Sequence, residues 1–501
     1  MSVAAPTRTL RRPLVLACVM VAMFMVAIEI TIVATAMPEI VRHLGDFSLY
    51  AWVFSAFLMS QATTTVIYGR LADLFGRKPV LIAGIAIFLV GSLLCGLAWS
   101  MLSLILFRLL QGLGAGAIQP VASTIVGDLY SAEERAQIQG YLSSVWAVAA
   151  VIGPLAGGVI IGQLSWPWIF WINIPLGVVT IAGLLLFLPE TVQRRPASLD
   201  YPGAALFALA IVSLLMVLTL LGGESDWRGT GSLIFGALFL LSLPLFLWQE
   251  ARTASPMVDL SLWSQRTIAA GNGATFLSGM TLIGLTSLLP IFVQGALGRS
   301  ALAAGFTLTA LVVGWPLASA VSGWFFRRFG TAGTARLGTG LIVLGAAPLL
   351  ALGVESGLAV PCIASFVVGF GMGLLSITCL VLIQGSVDWS RRGAATASNL
   401  FARTLGSTLG VAVLGGVLNL GLHAALRDAG ESDAAATLRI RAALGEAGTA
   451  AADPGMQAAM QHGLHLAFWA VLALAVVTFL LALMIPQREL SHLSGPATPR
   501  R

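Results

Sequence analysis

Glu29 falls inside the apolar run 14–37 and is the only carboxylate of the chain placed near the middle of such a run. A charged side chain at the centre of a membrane helix costs about 2.5–3.5 kcal/mol on insertion scales, so one that is kept there is a candidate for work rather than architecture. The chemistry it offers is uptake and release of a proton. The competing reading is a structural carboxylate permanently paired to a helix neighbour. Arg108, in Arg108-Leu109-Leu110-Gln111-Gly112, is the natural partner. At 1.5 Å per residue, Glu29 lies about 14 Å and Arg108 about 10 Å from the outer ends of their runs, so the two charges share a depth. Movement of Arg108 toward or away from Glu29 would then switch the carboxylate between proton-accepting and proton-releasing states. Gln111 and Gln119, eight residues apart, share roughly one helix face and are candidates to line a common cavity.

A second cluster is Gly69-Arg70-Leu71-Ala72-Asp73-Leu74-Phe75-Gly76-Arg77-Lys78-Pro79, a charged, glycine-bounded turn between the apolar runs 50–68 and 80–98. Glycines let the two helices approach closely where the chain reverses. A topogenic basic turn would account for Arg70, Arg77 and Lys78, but not for Asp73 or the glycine spacing.

These residues must be held by membrane helices. Hydrophobic residues make up 58% of the 501-residue chain and charged residues only 10%, against about a quarter charged in soluble domains, so the chain is a polytopic membrane protein. Its net charge of +6 is spread singly between apolar runs and forms no nucleic-acid footprint. Cys18, Cys95, Cys362 and Cys379 lie within apolar runs without metal or disulfide spacing. The run after Arg8, Arg11 and Arg12 is too long for a signal peptide and reads as a retained first helix. With about 20 residues needed per span, roughly fourteen helices are expected. Lys and Arg concentrate on the face that carries both termini, which places the termini in the cytoplasm.

The chain also repeats itself, as transporters built from two halves do. The stretch from Gly69 to Gly76 recurs as Gly323-Trp324-Phe325-Phe326-Arg327-Arg328-Phe329-Gly330, with Arg327 in place of Asp73. Gly112-Leu113-Gly114-Ala115-Gly116 recurs as Gly369-Phe370-Gly371-Met372-Gly373. The offset leaves room for an extra helix pair at 202–248 between the halves. The expected organisation is a six-helix half at 1–195, an inserted pair with linkers at 196–262, a second six-helix half at 263–486 with an external loop at 421–463, and a cytoplasmic tail at 487–501.

The turn around Asp73 resembles the signature loop between helices 2 and 3 of the major facilitator superfamily, and the helix count resembles its fourteen-helix drug:proton antiporter branch. Ile28-Glu29-Ile30-Thr31-Ile32-Val33-Ala34-Thr35-Ala36-Met37-Pro38 is similar to the helix 1 signature of that branch, with Glu29 and Ala34 where the family often has Asp and Asn. Gly140, Gly153, Pro154, Gly157 and Gly158 match its antiporter motif, with Ala149 replacing one glycine, and favour antiport over symport. Trp166-Pro167-Trp168-Ile169-Phe170-Trp171-Ile172-Asn173-Ile174-Pro175 resembles a further signature of the branch and reads physically as an aromatic interface belt.

The resemblance implies a major facilitator fold, all-α, of two six-helix halves plus two central helices. It implies gating by Arg70, Asp73, Arg77, Lys78 and Asp128, with Asp73 facing the positive N-terminus of a helix that begins near Ala394. It implies a substrate cavity drawn from Gln61, Gln111, Gln119, Trp146, Asn272, Phe276, Asn399 and Arg403, with Phe306, Phe370 and Phe401 on cavity-lining helices. Arg403 either lines the cavity or snorkels.

The expected activity is export of amphiphilic drug-like compounds in exchange for protons, or export of an endogenous metabolite, siderophore or lipid by the same fold. A membrane enzyme is the remaining class, and the sequence holds no HExxH site, no GxSxG nucleophile and no clustered His or Cys beyond His462 and His465. The implied partners are a small amphiphile, protons and the bilayer, with no metal, cofactor or nucleic acid, and the expected state is a monomer.

Overall fold

Each apolar run is helical in the computed structural model, which describes residues 11–45, 49–189, 200–222, 229–253, 260–299, 301–353, 356–432, 435–436, 439 and 454–486. In lipid a helix satisfies its backbone polar groups internally, so a chain of such runs has little other choice. Twelve helices among the described residues are long and apolar enough to cross a membrane. Two features bring this near the expected fourteen. The segment 303–351 is continuous in length, but its backbone breaks at Gly330 (φ 69°, ψ 174°), which divides α12 (Ala301–Ala346) into two limbs. Helix α2 (Tyr50–Phe75) spans 26 residues and carries Ser60, Gln61 and Thr63 to Thr65, which make it less apolar than its neighbours.

Helices outrun the apolar stretches. The eleven-residue turn expected at 69–79 is a single residue: α2 stays helical to Phe75, α3 (Arg77–Gly96) starts at once, and Gly76 alone turns the chain at φ 97°. Hydropathy marks where the membrane ends, whereas the backbone ladder continues as long as polar residues can pair along it, as Asp73 and Arg77 do one turn apart. The external loop expected from 421 is likewise helical to Asp428 at the end of α14 (Arg392–Asp428), and its far side is helical from Pro454 in α15 (Pro454–Leu483). The tail 487–501 lies outside the described residues.

The chain divides into two units. The first holds residues 1–131, 141–261 and 387–401, and the second holds 132–140, 262–386 and 402–501. Within the first, α1 (Arg12–Leu44) and α4 (Met101–Leu129) meet around Ile28, Ile32, Leu104 and Phe170. The inserted pair, α8 (Tyr201–Gly222) and α9 (Thr230–Arg252), packs in the same unit: Phe207, Ile211, Leu215 and Phe246 lie against Met59, Ala62 and Val66 of α2. Within the second, α11 (Arg266–Ile291), which follows the short α10 (Leu260–Ser264), packs with α12, α13 (Ala359–Gly385) and α15 around an apolar core that includes Leu289, Phe292, Met372 and Phe468.

Candidate functional site

Glu29 and Arg108 form a fully buried ion pair, Arg108 Nη1 to Glu29 Oε1 at 2.7 Å. The guanidinium is held from several sides. Nη1 also donates to Gln111 Oε1 at 2.6 Å, Nε donates to the carbonyl of Val53 at 3.2 Å, and the Phe57 ring stacks 4.1 Å away. Gln111 Nε2 in turn donates to Ser92 Oγ of α3 at 2.8 Å. The second carboxylate oxygen, Glu29 Oε2, accepts from Asn173 Nδ2 at 2.6 Å. Asn173 opens α7 (Asn173–Phe187), just after α6 (Trp168–Trp171). Four helices thus converge on one carboxylate: α1 supplies it, α4 its charge partner, α7 a second donor, and α3 the support behind Gln111. Buried charges are tolerated only when paired and hydrogen-bonded, and here both carboxylate oxygens meet a donor.

The sequence pairs Glu29 with Arg108, and the structure brings them together. Asn173 and Ser92 are absent from the sequence-derived site. Asn173 was legible only as part of an aromatic belt, and an isolated Asn at the start of a helix gives little signal of its own. Gln111, expected on a cavity wall, is fully buried with its amide committed to Arg108 and Ser92. Gln119, Gln61 and Trp146 are half-buried, as are Phe276 and Arg403, while Asn272 and Asn399 are buried. Arg403 lies 6.0 Å from the Trp315 ring in the second unit. Phe306 is exposed, and Phe401 packs on Phe207 of the inserted pair at 5.4 Å.

The glycines of the antiporter motif sit on α5 (Ala132–Gln163). A Cβ on Gly153 would stand 2.0 Å from Thr31 Oγ1, and one on Gly157 would press on Thr35 and Ile32, so both positions hold α5 tight against the turn of α1 that follows Glu29. Thr31 seals this contact by donating to the carbonyl of Ala149 at 3.1 Å. Gly140 abuts Ala320 within the second unit, whereas Gly158 faces open space. Pro154 lies outside the residues whose side chains are described.

A second charged cluster lies in the first unit at the α2–α3 turn. Asp73 accepts from the backbone N–H of Gly393 at 2.9 Å and of Ala394 at 2.8 Å, so it caps the first turn of α14, where the helix dipole favours an anion. Arg77 bridges Asp73 at 3.0 Å and Asp128 at 3.1 Å, donates to the carbonyl of Trp389 and stacks on its ring at 3.8 Å. Arg392 donates to the other Asp128 oxygen at 2.7 Å. Lys78 donates to the carbonyls of Leu185 and Leu188 at the end of α7, and Arg70 is half-buried near Asp73. Burial lifts the Asp73 carboxyl to about 6, against the lowering effects of Arg77, the two amide donors and Arg70. Asp73 is therefore ionised at neutral pH and titrates on mild acidification. Arg392 and Trp389 complete this cluster, although the sequence marks Arg392 only as one more inner-face cation.

A profile of the Major Facilitator Superfamily matches residues 19–411. Multidrug transporter protein MdtP of Bacillus subtilis (strain 168) is 33% identical over 411 residues, which cover 82% of this chain and 76% of that protein. Multidrug resistance protein 3 of the same organism is 33% identical over 393 residues, 78% of this chain and 77% of that protein. Among solved structures, the human organic anion transporter MFSD10 (TETRAN) aligns with a TM-score of 0.64 at 14% identity, covering 94% of this chain and 99% of that one. The proton:xylose symporter XylE aligns at 0.62 and 12%, covering 96% and 98%. At such identities the structures speak for the fold alone. The family match and the transporter relatives set enzymes aside, and the all-helical, polytopic chain belongs to the major facilitator superfamily.

Proposed function

We propose that this transporter is a proton-coupled antiporter that exports amphiphilic, drug-like compounds across the cytoplasmic membrane by alternating access, with both termini cytoplasmic. The observation that carries the reading is the buried Glu29–Arg108 pair, a titratable group in a span held by a partner with alternative acceptors in Gln111 and the Val53 carbonyl. A proton arriving at Glu29 removes the carboxylate charge and weakens its pairing, while the guanidinium stays held by Gln111 and the Val53 carbonyl. Release of the proton to the inner side restores the pair. The names of the Bacillus relatives, a multidrug transporter and a multidrug resistance protein, support the cargo class.

Gating falls to the Asp73, Arg77, Asp128 and Lys78 cluster with Arg70, which ties the α2–α3 turn to the start of α14. The proton gradient supplies the energy, no cofactor takes part, and the working unit is a monomer. With Glu29 the one carboxylate deep in a span among the described residues and Arg403 adding positive potential, neutral and monocationic cargo is preferred to dications.

The test is substrate-driven proton movement in proteoliposomes. Glu29→Gln keeps size and removes the titratable group, so uphill efflux is lost while substrate binding is retained. Wild-type accumulation by the purified variant would remove Glu29 as the proton carrier. A substrate screen in which only an endogenous metabolite, siderophore or lipid moves would reassign the cargo while leaving the coupling intact.

A further inference from the structure

Both oxygens of Glu29 face donors that are themselves pinned. Oε1 faces Arg108 Nη1, and Oε2 faces Asn173 Nδ2, whose amide also donates to the carbonyl of Phe170 at 3.2 Å. Both hydrogens of the Asn173 amide are thus spent on acceptors, and its own Oδ1 is buried with no hydrogen-bond partner among the described residues. Turning the amide over would aim Oδ1 at two acceptors and strand two N–H groups where one oxygen is stranded now. Each oxygen keeps a lone pair beside the one its donor faces, and a protonated oxygen is a poorer acceptor, so proton uptake loosens the donor on that oxygen and the less restrained donor is the one that gives way. Arg108 is tied by Gln111, the Val53 carbonyl and the Phe57 ring, whereas Asn173 has only the Phe170 carbonyl besides Glu29.

We propose that Glu29 Oε2 is the oxygen that takes the proton and that Asn173 is the positioning residue displaced when it does, so that protonation is read out at the start of α7. The inference rests on Glu29 being the proton carrier. The balance is simple: the proton adds to Oε2, the Asn173 N–H···Oε2 bond breaks, and no covalent bond of the protein changes. The backbone stays helical through Ile172 between Trp168–Trp171 and Asn173–Phe187, so the displacement falls to the Asn173 side chain. Among the described residues, the titratable and polar groups gathered around Glu29 are Arg108 and Gln111 from α4, Cys95 and Ser92 from α3, and Asn173 from α7. From α2 come only the Val53 carbonyl and the Phe57 ring, both on Arg108, and α5 presents glycines to α1.

The experiment compares the pH profile of transport in wild type, Asn173→Leu and Asn173→Gln, with infrared detection of a protonated carboxylic acid that is missing in Glu29→Gln. Asn173→Leu removes the donor at similar size, and its transport profile moves toward alkaline pH by about one unit or more, the worth of a hydrogen bond to a charged group. Asn173→Gln keeps an amide donor and returns the profile toward wild type. A folded Asn173→Leu whose profile coincides with wild type overturns the inference, as does an Asn173→Gln profile shifted as far as that of Asn173→Leu. Absence of the Glu29-dependent infrared band across the whole pH range is a different failure: it removes Glu29 as carrier and the coupling reading with it.

Discussion

The two units share a pattern of glycine contacts, but among the described residues only the first carries the Glu29–Arg108 and Asp73–Arg77–Asp128 networks. Added Cβ atoms on the glycine triplets make the comparison concrete. On Gly112, Gly114 and Gly116 they would collide with the carbonyls of Phe57, Gly84 and Gln61, and on Gly369, Gly371 and Gly373 with those of Leu311, Gly338 and Trp315. Gly91 meets the backbone of Gln111 just as Gly345 meets that of Val368. Gly76 and Gly330, with φ of 97° and 69°, turn the chain at matching places. On this register Ser365 stands where Arg108 does, Val368 where Gln111 does, Arg327 where Asp73 does and Thr331 where Arg77 does. Among the described residues, the buried hydroxyls of Ser365 and Thr331 have no hydrogen-bond partner. Helix approach is therefore specified by glycine spacing, independently of the charges, and the charge network is an addition to one copy.

The sharpest way to break the comparison is to give the first unit the residue of the second. Arg108→Ser leaves Glu29 buried without its charge partner, and removing one member of a buried pair costs about 3–5 kcal/mol. The expected result is a large fall in thermal stability of the detergent-solubilised protein. The double variant Glu29→Gln with Arg108→Ser recovers a substantial part, because no lone charge remains. If the single variant is as stable as wild type, the network is no part of what holds the first unit, and the two copies are energetically alike.

Next in size are the glycines, where the units are expected to behave the same. Gly112→Ala places its Cβ 2.4 Å from the Phe57 oxygen, and Gly369→Ala places its own 2.2 Å from the Leu311 oxygen, contacts with backbone that cannot swing aside. Each is expected to cost about 1–3 kcal/mol, the usual range for overpacking a tight interface. Thermal unfolding of the pair measures this directly. A loss for one and none for the other would mean that the repeat is a likeness of sequence alone.

The repeat was legible because glycines at fixed spacing record backbone contact, and Glu29 with Arg108 because a charge in an apolar run has to be explained. Their shared depth followed from residue counting, and the 2.7 Å bond agrees with it. What escaped the sequence are groups whose role depends on distant partners. Asn173 is an ordinary helix-start residue until Glu29 lies beside it, and Arg392 is one basic residue among many until Asp128 does. Helix ends were misjudged for another reason: apolarity reports the membrane boundary, and the helices around Asp73 and after residue 421 continue beyond it.

The smallest expected effect sharpens the comparison at the turns. Asp73 is raised to about 6 by burial while capping α14, whereas an Asp73 released to solvent titrates near the ordinary value of about 3.9. The capped form therefore binds a proton more tightly than the released form. Its relative population is unaffected by pH well above 6, where both are ionised, and rises as pH falls from there toward 4. Lowering the pH on the side of the Asp73 turn from about 7.5 to about 5.5 shifts the ratio of capped to released forms by about fourfold by linkage. Labelling of a cysteine introduced beside the Asp73 turn should fall accordingly. Asp73→Asn carries no titrating group there and loses the response, while Arg327→Ala at the matching turn of the second unit keeps it. A pH response that survives in Asp73→Asn would locate the titration elsewhere, and one lost in Arg327→Ala would show that the second turn, uncharged partners and all, still takes part in what the first one does.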